Sequence, residues 1–456
     1  MAIPPGPRGL DVFGFFGKGS TAGMIEFLET TARRYGPISS FRILNRRLYL
    51  VDDADLIQEI LVSRQHEFVR DNGAILLREL LGEAMITSEE PQHRERRRMV
   101  QPAFHRDQIA AYADIMIRHA ERIASEWRDS ETIDVGSEMR RMTLSIVGST
   151  LFGADFQECA GQIAAVLRRV IRKASWLGPA FGFLEPFVVI YRRIFPNGPS
   201  LFFRSERKEL ERILTPVMEQ RNVNGTKDVL SLLMAQHDEN GAGLGADRIR
   251  NEMITFVLAG HETTAAALGW TWYLLAKHPR VDERMHFEIS SVLGSRSASL
   301  DDLANLTYTS MVFREALRLY PPARVFGRRP IKTVVLGGYT IPRGASILLS
   351  PQITQRNESY FERPEAFEPE RWETVAPPKF AYFPFGGGAK MCIGDSFARM
   401  EGVLAMASIA RRWSFEMTSE SVDVRPGLTL STSKPILLRA NARVSVVPAR
   451  TSEALA

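Results

Sequence analysis

Apolar residues recur at helical spacing through the middle of the chain. Stretches at 107–128, 137–152, 160–175 and 205–221 carry them at every third or fourth position, as a helix with one buried face requires. A longer periodic stretch predicts a helix from Asp247 to His278, ended by Pro279. At 1.5 Å per residue it spans about 48 Å, enough to cross a whole domain. Another helix is predicted over 308–320, stopped by Pro321-Pro322, because proline has no N–H to continue the ladder. Elsewhere the period shortens. FRILNRRLYLVDD (41–53) alternates around Asn45 and predicts a hairpin. TVVLGGYTIPRGASILLS (333–350) predicts short strands with turns at Gly337-Gly338 and Pro342–Gly344. Residues 237–245 and the Pro- and Gly-rich 351–391 read as loops, and a last long helix begins near Gly394. The fold class is mainly α with a small β region gathered late in the chain.

Composition narrows this picture. With 456 residues, 45% of them hydrophobic, the chain can bury a large core. No Pro/Gly/Ser linker divides it, so one domain over 1–456 is expected. Its parts are a mixed β-containing segment (1–90), a helical part (91–320), a β and loop region (321–394), and a final helix with strands (395–456). The net charge of +5 comes with scattered Arg pairs and no recognition motif, so no nucleic-acid partner is expected. A basic docking face for an acidic protein fits the same charge. The only cysteines are Cys159 and Cys392, which rules against a disulfide framework and favours a reducing compartment. MAIPPGPRGL has no apolar run, and no stretch reaches the roughly 18 apolar residues of a spanning helix. A cytoplasmic protein without a transmembrane anchor is expected.

The most informative segment is Phe385-Gly-Gly-Gly-Ala-Lys-Met-Cys392-Ile-Gly394. Its glycines let the backbone turn tightly and approach a flat ligand. Cys392 lies just before a helix N-terminus, where free N–H groups and the helix dipole favour a thiolate. Phe385 can shield the sulfur from water. Cys159 sits in a helical stretch with no such approach and reads as a structural thiol.

Ala259-Gly260-His261-Glu262-Thr263-Thr264 interrupts the long helix with residues that are poor helix formers. Gly260 leaves room beside the backbone. The Thr263 hydroxyl can bond the Ala259 carbonyl and open the helix locally. A local slot results, with Glu262 and Thr263 beside it as an acid–alcohol pair that can relay protons. His261-Glu262 also matches half of the zinc-protease H-E-x-x-H, but Ala265 occupies the last position and the match fails.

Together these segments resemble the cytochrome P450 family. Phe385, Gly388, Lys390, Cys392 and Gly394 fill its F-x-x-G-x-[basic]-x-C-x-G signature, with Lys390 where Arg or His is more usual. Ala259 to Thr263 match its [AG]-G-x-[DE]-T oxygen groove. Glu315 and Arg318 match E-x-x-R, and Pro369-Glu370-Arg371-Trp372 supplies the partner Arg371. His93 and Arg97 match [WH]-x-x-x-R, and Arg328 precedes the TVVLGG strand where the family places another cation; Arg324 and Arg329 compete for that register.

The resemblance implies haem b (protoporphyrin IX iron) held between the long helix and the cysteine loop, with Cys392 as axial thiolate. It assigns the haem propionates to His93, Arg97, Arg328 and Lys390, and loop locking to the Glu315–Arg318–Arg371 triad. It implies a monooxygenase that takes dioxygen and a lipophilic small molecule: a fatty acid, terpenoid or polyketide. Electrons come from a separate donor, a ferredoxin or flavodoxin with its reductase, docking near Arg94, Arg98 and Arg399. WLGPAFGFLEPFVVI (176–190) is expected to roof the pocket. A non-hydroxylating haem-thiolate enzyme (peroxygenase or isomerase type) and a haem-based ligand-binding protein stand as alternatives.

Overall fold

A computed structural model describes residues 3–8, 21–43, 46–71, 73–195, 198, 200–219, 228–236, 243–418, 424–425, 431–432 and 434–443. Eight helices frame the site: α1 (Gly73–Leu81), α2 (Gln92–Val100), α3 (Val135–Leu151), α4 (Gln157–Ile194), α5 (Arg204–Glu219), α6 (Ala246–Lys277), α7 (Thr307–Leu319) and α8 (Asp395–Ala410).

The central element is α6, 32 residues long and buried on most sides from Met253 to Leu275. A helix apolar nearly all round belongs inside a core. It lies along α3 and touches α5, α7 and α8. It ends one residue earlier than the spacing predicts, because His278 is pushed to φ −128°, ψ 72° by the proline after it. Pro279 then opens the next helix at a position that needs no N–H. Flat stacking of Trp270 on Tyr320, ring centroids 4.3 Å apart, ties α6 to the end of α7.

Two helical expectations change. The stretch 107–128 is two helices, Arg106–Ala111 and Ala113–Glu126, meeting at Tyr112. The stretch 160–175 extends into the 38 residues of α4.

One five-stranded sheet flanks the helices. Its strands are β1 (Ile38–Ile43), β2 (Arg46–Val51), β3 (Phe68–Arg70), β4 (Phe326–Pro330) and β5 (Ser346–Leu349), in the order β1-β2-β5-β4-β3. The predicted hairpin pairs Ile43 with Arg46; Asn45 and residues 237–242 of the predicted loop lie outside the described residues. β5 runs parallel to β2, and β4 pairs antiparallel with both β5 and β3. That register sets Arg70 opposite Arg328. The Gly337-Gly338 turn closes the hairpin Val334–Leu336/Tyr339–Ile341 with both φ positive, 53° and 81°, the type I′ geometry that glycine makes accessible. A smaller sheet joins Glu131–Asp134, Leu437–Ala442 and Trp413–Met417. Among the described residues no helix is long and apolar enough to cross a membrane.

Candidate active site

Between α6 and the loop before α8 lies a cavity of about 830 Å³. Its floor carries Cys392, and its walls include Ala259, Gly260, Glu262 and Thr263 of α6 together with Leu76, Leu77 and Leu80 of α1. The Cys392 side chain keeps free surface although protein surrounds it, because that surface opens into the cavity.

The loop is built to present this sulfur. Cys392 N donates to Phe385 O at 3.0 Å, and Met391 N to Gly388 O at 3.0 Å. Gly388 has φ +70°, and a Cβ there would stand 1.7 Å from Leu61 O, so no other residue fits without moving the backbone. Burial pushes the Cys392 thiol up, while the Gly394 N–H and Arg97 act the other way. A bound metal cation would complete the shift to thiolate. Above, the Arg399 guanidinium covers the Phe385 ring at 4.7 Å.

On α6, Thr263 Oγ1 donates to Ala259 O at 2.6 Å, as the sequence predicts. Glu262 is buried, and that burial pushes its carboxyl up, with Arg140 and Arg168 opposing. Gly260 has a second reason to lack a side chain, since a Cβ would approach Val147 of α3 to 3.0 Å. Thr264 also borders the cavity. A helix forming a wall presents a broad stripe, so the residue after Thr263 is not turned away from the site as helical rotation alone suggests.

Cations gather at one end: Arg70, His93, Arg97, Arg328 and Lys390 all line the cavity. Arg97 Nη1 donates to Met391 O at 2.7 Å and so also braces the cysteine loop. His93 is buried with Nδ1 3.1 Å from Glu90 Oε1, and Lys390 bonds Glu89. Burial, then neighbouring Arg70, lowers Arg328 to about 10. Arg324 instead bonds Gln352, and Arg329 Nε reaches Arg70 O at 3.4 Å; neither lines the cavity. Arg70 and Arg46 are lining cations that sequence reasoning missed: neither belongs to a motif, and the β3–β4 register brings Arg70 in.

Behind the loop, Glu315 and Arg318 are fully buried and Arg371 nearly so. Arg318 Nε and Nη2 hold the Glu315 carboxylate at 2.9 and 2.7 Å, and Arg371 Nε reaches it at 2.9 Å. Arg318 also donates to the Gln355 carbonyl at 2.9 Å, while the Gln355 side chain accepts from Phe383 N at 3.0 Å. The triad therefore grips the chain two residues before Phe385.

A family model, Cytochrome P450, matches residues 4–439. The chain belongs to the cytochrome P450 family. It is 34% identical over 409 residues to cyclooctatin synthase of Streptomyces melanosporofaciens, covering 87% of each chain. Cyclooctat-9-en-7-ol 5-monooxygenase of the same organism is 33% identical over 387 residues, 83% of this chain and 82% of that one. Pentalenene oxygenase of Streptomyces avermitilis is 31% identical over 414 residues, 89% and 90%.

This P450 is a haem-thiolate monooxygenase with Cys392 as axial ligand. Its residues fit haem b: a cavity with an unpaired thiol on its floor, apolar walls, and cations clustered where propionates need partners. The expected roof falls mostly on side chains outside the described residues. Among the described side chains of α4, Val170, Ile171 and Ala174 line the cavity. Within 176–190, Leu177 and Val188 are buried, Phe187, Val189 and Ile190 are exposed, and the side chains of 176 and 178–186 lie outside the described residues.

Proposed function

We propose that this P450 oxygenates a cyclic terpenoid, using Cys392 for haem ligation and the Glu262–Thr263 pair for proton delivery. The observation that carries the reading is the apolar cavity in which Cys392 and the Ala259–Thr263 groove line the same space. Bound haem supplies reductive dioxygen activation, which the thiolate promotes by donating electron density to iron. The protein's own groups divide the remaining work. His93, Arg97, Arg328 and Lys390 hold the propionates, with Arg70 beside them. Leu76, Leu77, Leu80 and Phe256 exclude water and offer only dispersion contacts, so substrate orientation rests on shape. Thr263 and Glu262 move protons from the α6 side. The terpenoid class is supported by the names of the relatives, whose products and substrates include cyclooctatin, cyclooctat-9-en-7-ol and pentalenene.

Electrons arrive from an acidic ferredoxin or flavodoxin served by its reductase, and the compartment is the cytoplasm. The basic, exposed Arg94 and Arg98 on α2 support that docking site. The test is a spectral titration of the purified haem protein. Cyclic sesquiterpene and diterpene hydrocarbons and their alcohols should displace iron-bound water and shift the Soret band to shorter wavelength. Straight-chain fatty acids should not. Shifts with fatty acids alone would overturn the terpenoid assignment.

A further inference from the structure

His261 adjoins the proton-delivering Glu262 but faces the other way. An α-helix turns about 100° per residue, so while Glu262 lines the cavity, His261 enters the packing between α6 and α3. Its imidazole is fully buried; neither ring nitrogen makes a hydrogen bond of good geometry, and the Arg140 backbone carbonyl of α3 faces the ring as a weak acceptor. Buried polar groups are nearly always well paired, so a ring whose nitrogens are held this loosely calls for a reason. Thr143 Oγ1 of α3 donates to the His261 carbonyl at 3.1 Å and fixes the backbone there. His261 Nδ1 lies 3.8 Å from Glu262 Oε2, about 0.8 Å beyond a normal hydrogen bond. Among the described residues no hydrogen bond reaches that carboxyl. The other charges facing the pair are Arg140 of α3, itself 4.0 Å from Asp134, and Arg168 of α4.

We propose that His261 is a positioning residue for Glu262: its imidazole N–H receives the carboxylate when it swings out of the cavity, and so sets how readily Glu262 exchanges protons. This rests on the reading of Glu262 as the proton donor. The chemistry follows from burial. Desolvation, reinforced by the Arg140 charge and opposed by the Arg140 backbone carbonyl, lowers His261 to about 3, so it stays neutral with an N–H that the carbonyl holds only weakly. Desolvation also favours the protonated form of Glu262. In the cavity that form has a proton ready to deliver. After delivery the charged carboxylate needs a donor, and His261 is the neutral one within a small rotation. Hydrogen bonding to the charged form lowers a carboxyl's pKa. His261 therefore offsets part of the desolvation and keeps Glu262 able to cycle between its two forms.

Infrared difference spectroscopy of the haem-loaded protein tests this directly. The carboxyl stretching band that Glu262→Gln abolishes reports Glu262, and its intensity is followed against pH. His261→Leu, similar in bulk but without a donor, should move the midpoint up by about one pH unit. His261→Gln, which keeps an N–H, should restore at least half of that shift. His261→Met replaces the leucine variant if the latter fails to accumulate. An unmoved midpoint in the apolar variant overturns the proposal, and so does a shift that Gln leaves unchanged, since packing alone would then explain it. The two readings fail separately. If Glu262→Gln turns over and couples like the parent, Glu262 itself is not the donor. If Glu262→Gln slows turnover while His261→Leu leaves the band in place, only the role of His261 falls.

Discussion

Arg70 and Arg328 stand directly opposite each other across the β3–β4 ladder, and both side chains border the cavity. Like charges in a cross-strand pair repel, at a cost of roughly 0.2–1 kcal/mol. Glu89 and Asp71 offset part of that charge. The rest suits a dianionic guest, which haem with its two propionates provides.

Haem retention should therefore track the cations that line the cavity. Arg97→Ala should lose haem more readily than Arg94→Ala or Arg98→Ala, whose side chains lie on the exposed side of α2. Arg70→Gln should also loosen haem, yet change the stability of the haem-free protein little, because the repulsion it removes offsets the lost hydrogen bond to Ser88 O and the ion pair with Glu89. Haem transfer to apomyoglobin measures the first effect and thermal melting of the apoprotein the second. Equal transfer rates across all these variants would return α2 and β3 to plain surface.

Removing Glu315 should be far more damaging than removing an exposed acid. Its carboxylate is the shared acceptor for Arg318 and Arg371 in a site without solvent. Glu315→Ala leaves the buried Arg318 guanidinium uncompensated and Arg371 with Glu368 alone, 3.1 Å away, and should cost about 3–5 kcal/mol. Loss of stability and of haem should appear together, because the same network reaches Phe383 through Gln355. A melting temperature within a degree of the parent would contradict this.

Cys392→His should keep a metal ligand in place but change its character. The reduced carbonyl complex should then lack the red-shifted Soret band of thiolate ligation. Persistence of that band would assign the thiolate to Cys159, whose Sγ instead points to Phe156 O at 3.5 Å.

The sequence made some of this legible and hid the rest, for physical reasons. Local rules placed α6, the Gly337-Gly338 turn and the start of α8, because helical period, proline stops and glycine turns are properties of neighbouring residues. The Thr263–Ala259 bond was legible for the same reason, since it closes within one helical turn. Arg70 was not. Its membership in the site depends on a pairing between residues 258 positions apart in the chain, which no local pattern encodes. The roof was legible only in part: an apolar run says that a segment needs cover, not which cavity it covers. Of its described side chains Phe187 and Ile190 are exposed, while Val170 and Ile171 of the same helix line the cavity.

Electron delivery should weaken as salt rises. The candidate docking residues differ in how free they are: Arg94 is 3.4 Å from Glu90, and Arg399 is held by Asp395 at 2.6 Å. Arg98 is exposed on the same helix as Arg94. Steering between opposite charges is screened over a Debye length of about 8 Å at physiological ionic strength. Reduction rates with an acidic ferredoxin should fall between low and high salt, and Arg98→Glu should flatten that dependence. Rates indifferent to ionic strength would place the docking face elsewhere.

Thr263 and Glu262 should couple electron consumption to product. Thr263 Oγ1 gives its hydrogen to Ala259 O, so its lone pairs face the cavity and can accept from a water or from protonated oxygen. Glu262, whose carboxyl is pushed up by burial, is the neighbouring acid that can refill that position. Reduction of dioxygen that lacks a timely, well-placed proton ends in hydrogen peroxide rather than in substrate oxygenation. Thr263→Ala should therefore retain haem, substrate binding and reductant oxidation while diverting most of the flux to peroxide. Glu262→Gln keeps the shape but cannot donate an acidic proton, and turnover should fall about 100-fold with less change in the peroxide fraction. Parallel measurement of reductant consumed, peroxide formed and product formed separates the two. If Thr263→Ala stays as tightly coupled as the parent, the hydroxyl has no part in proton placement, and a substrate hydroxyl or an independent water chain must supply it.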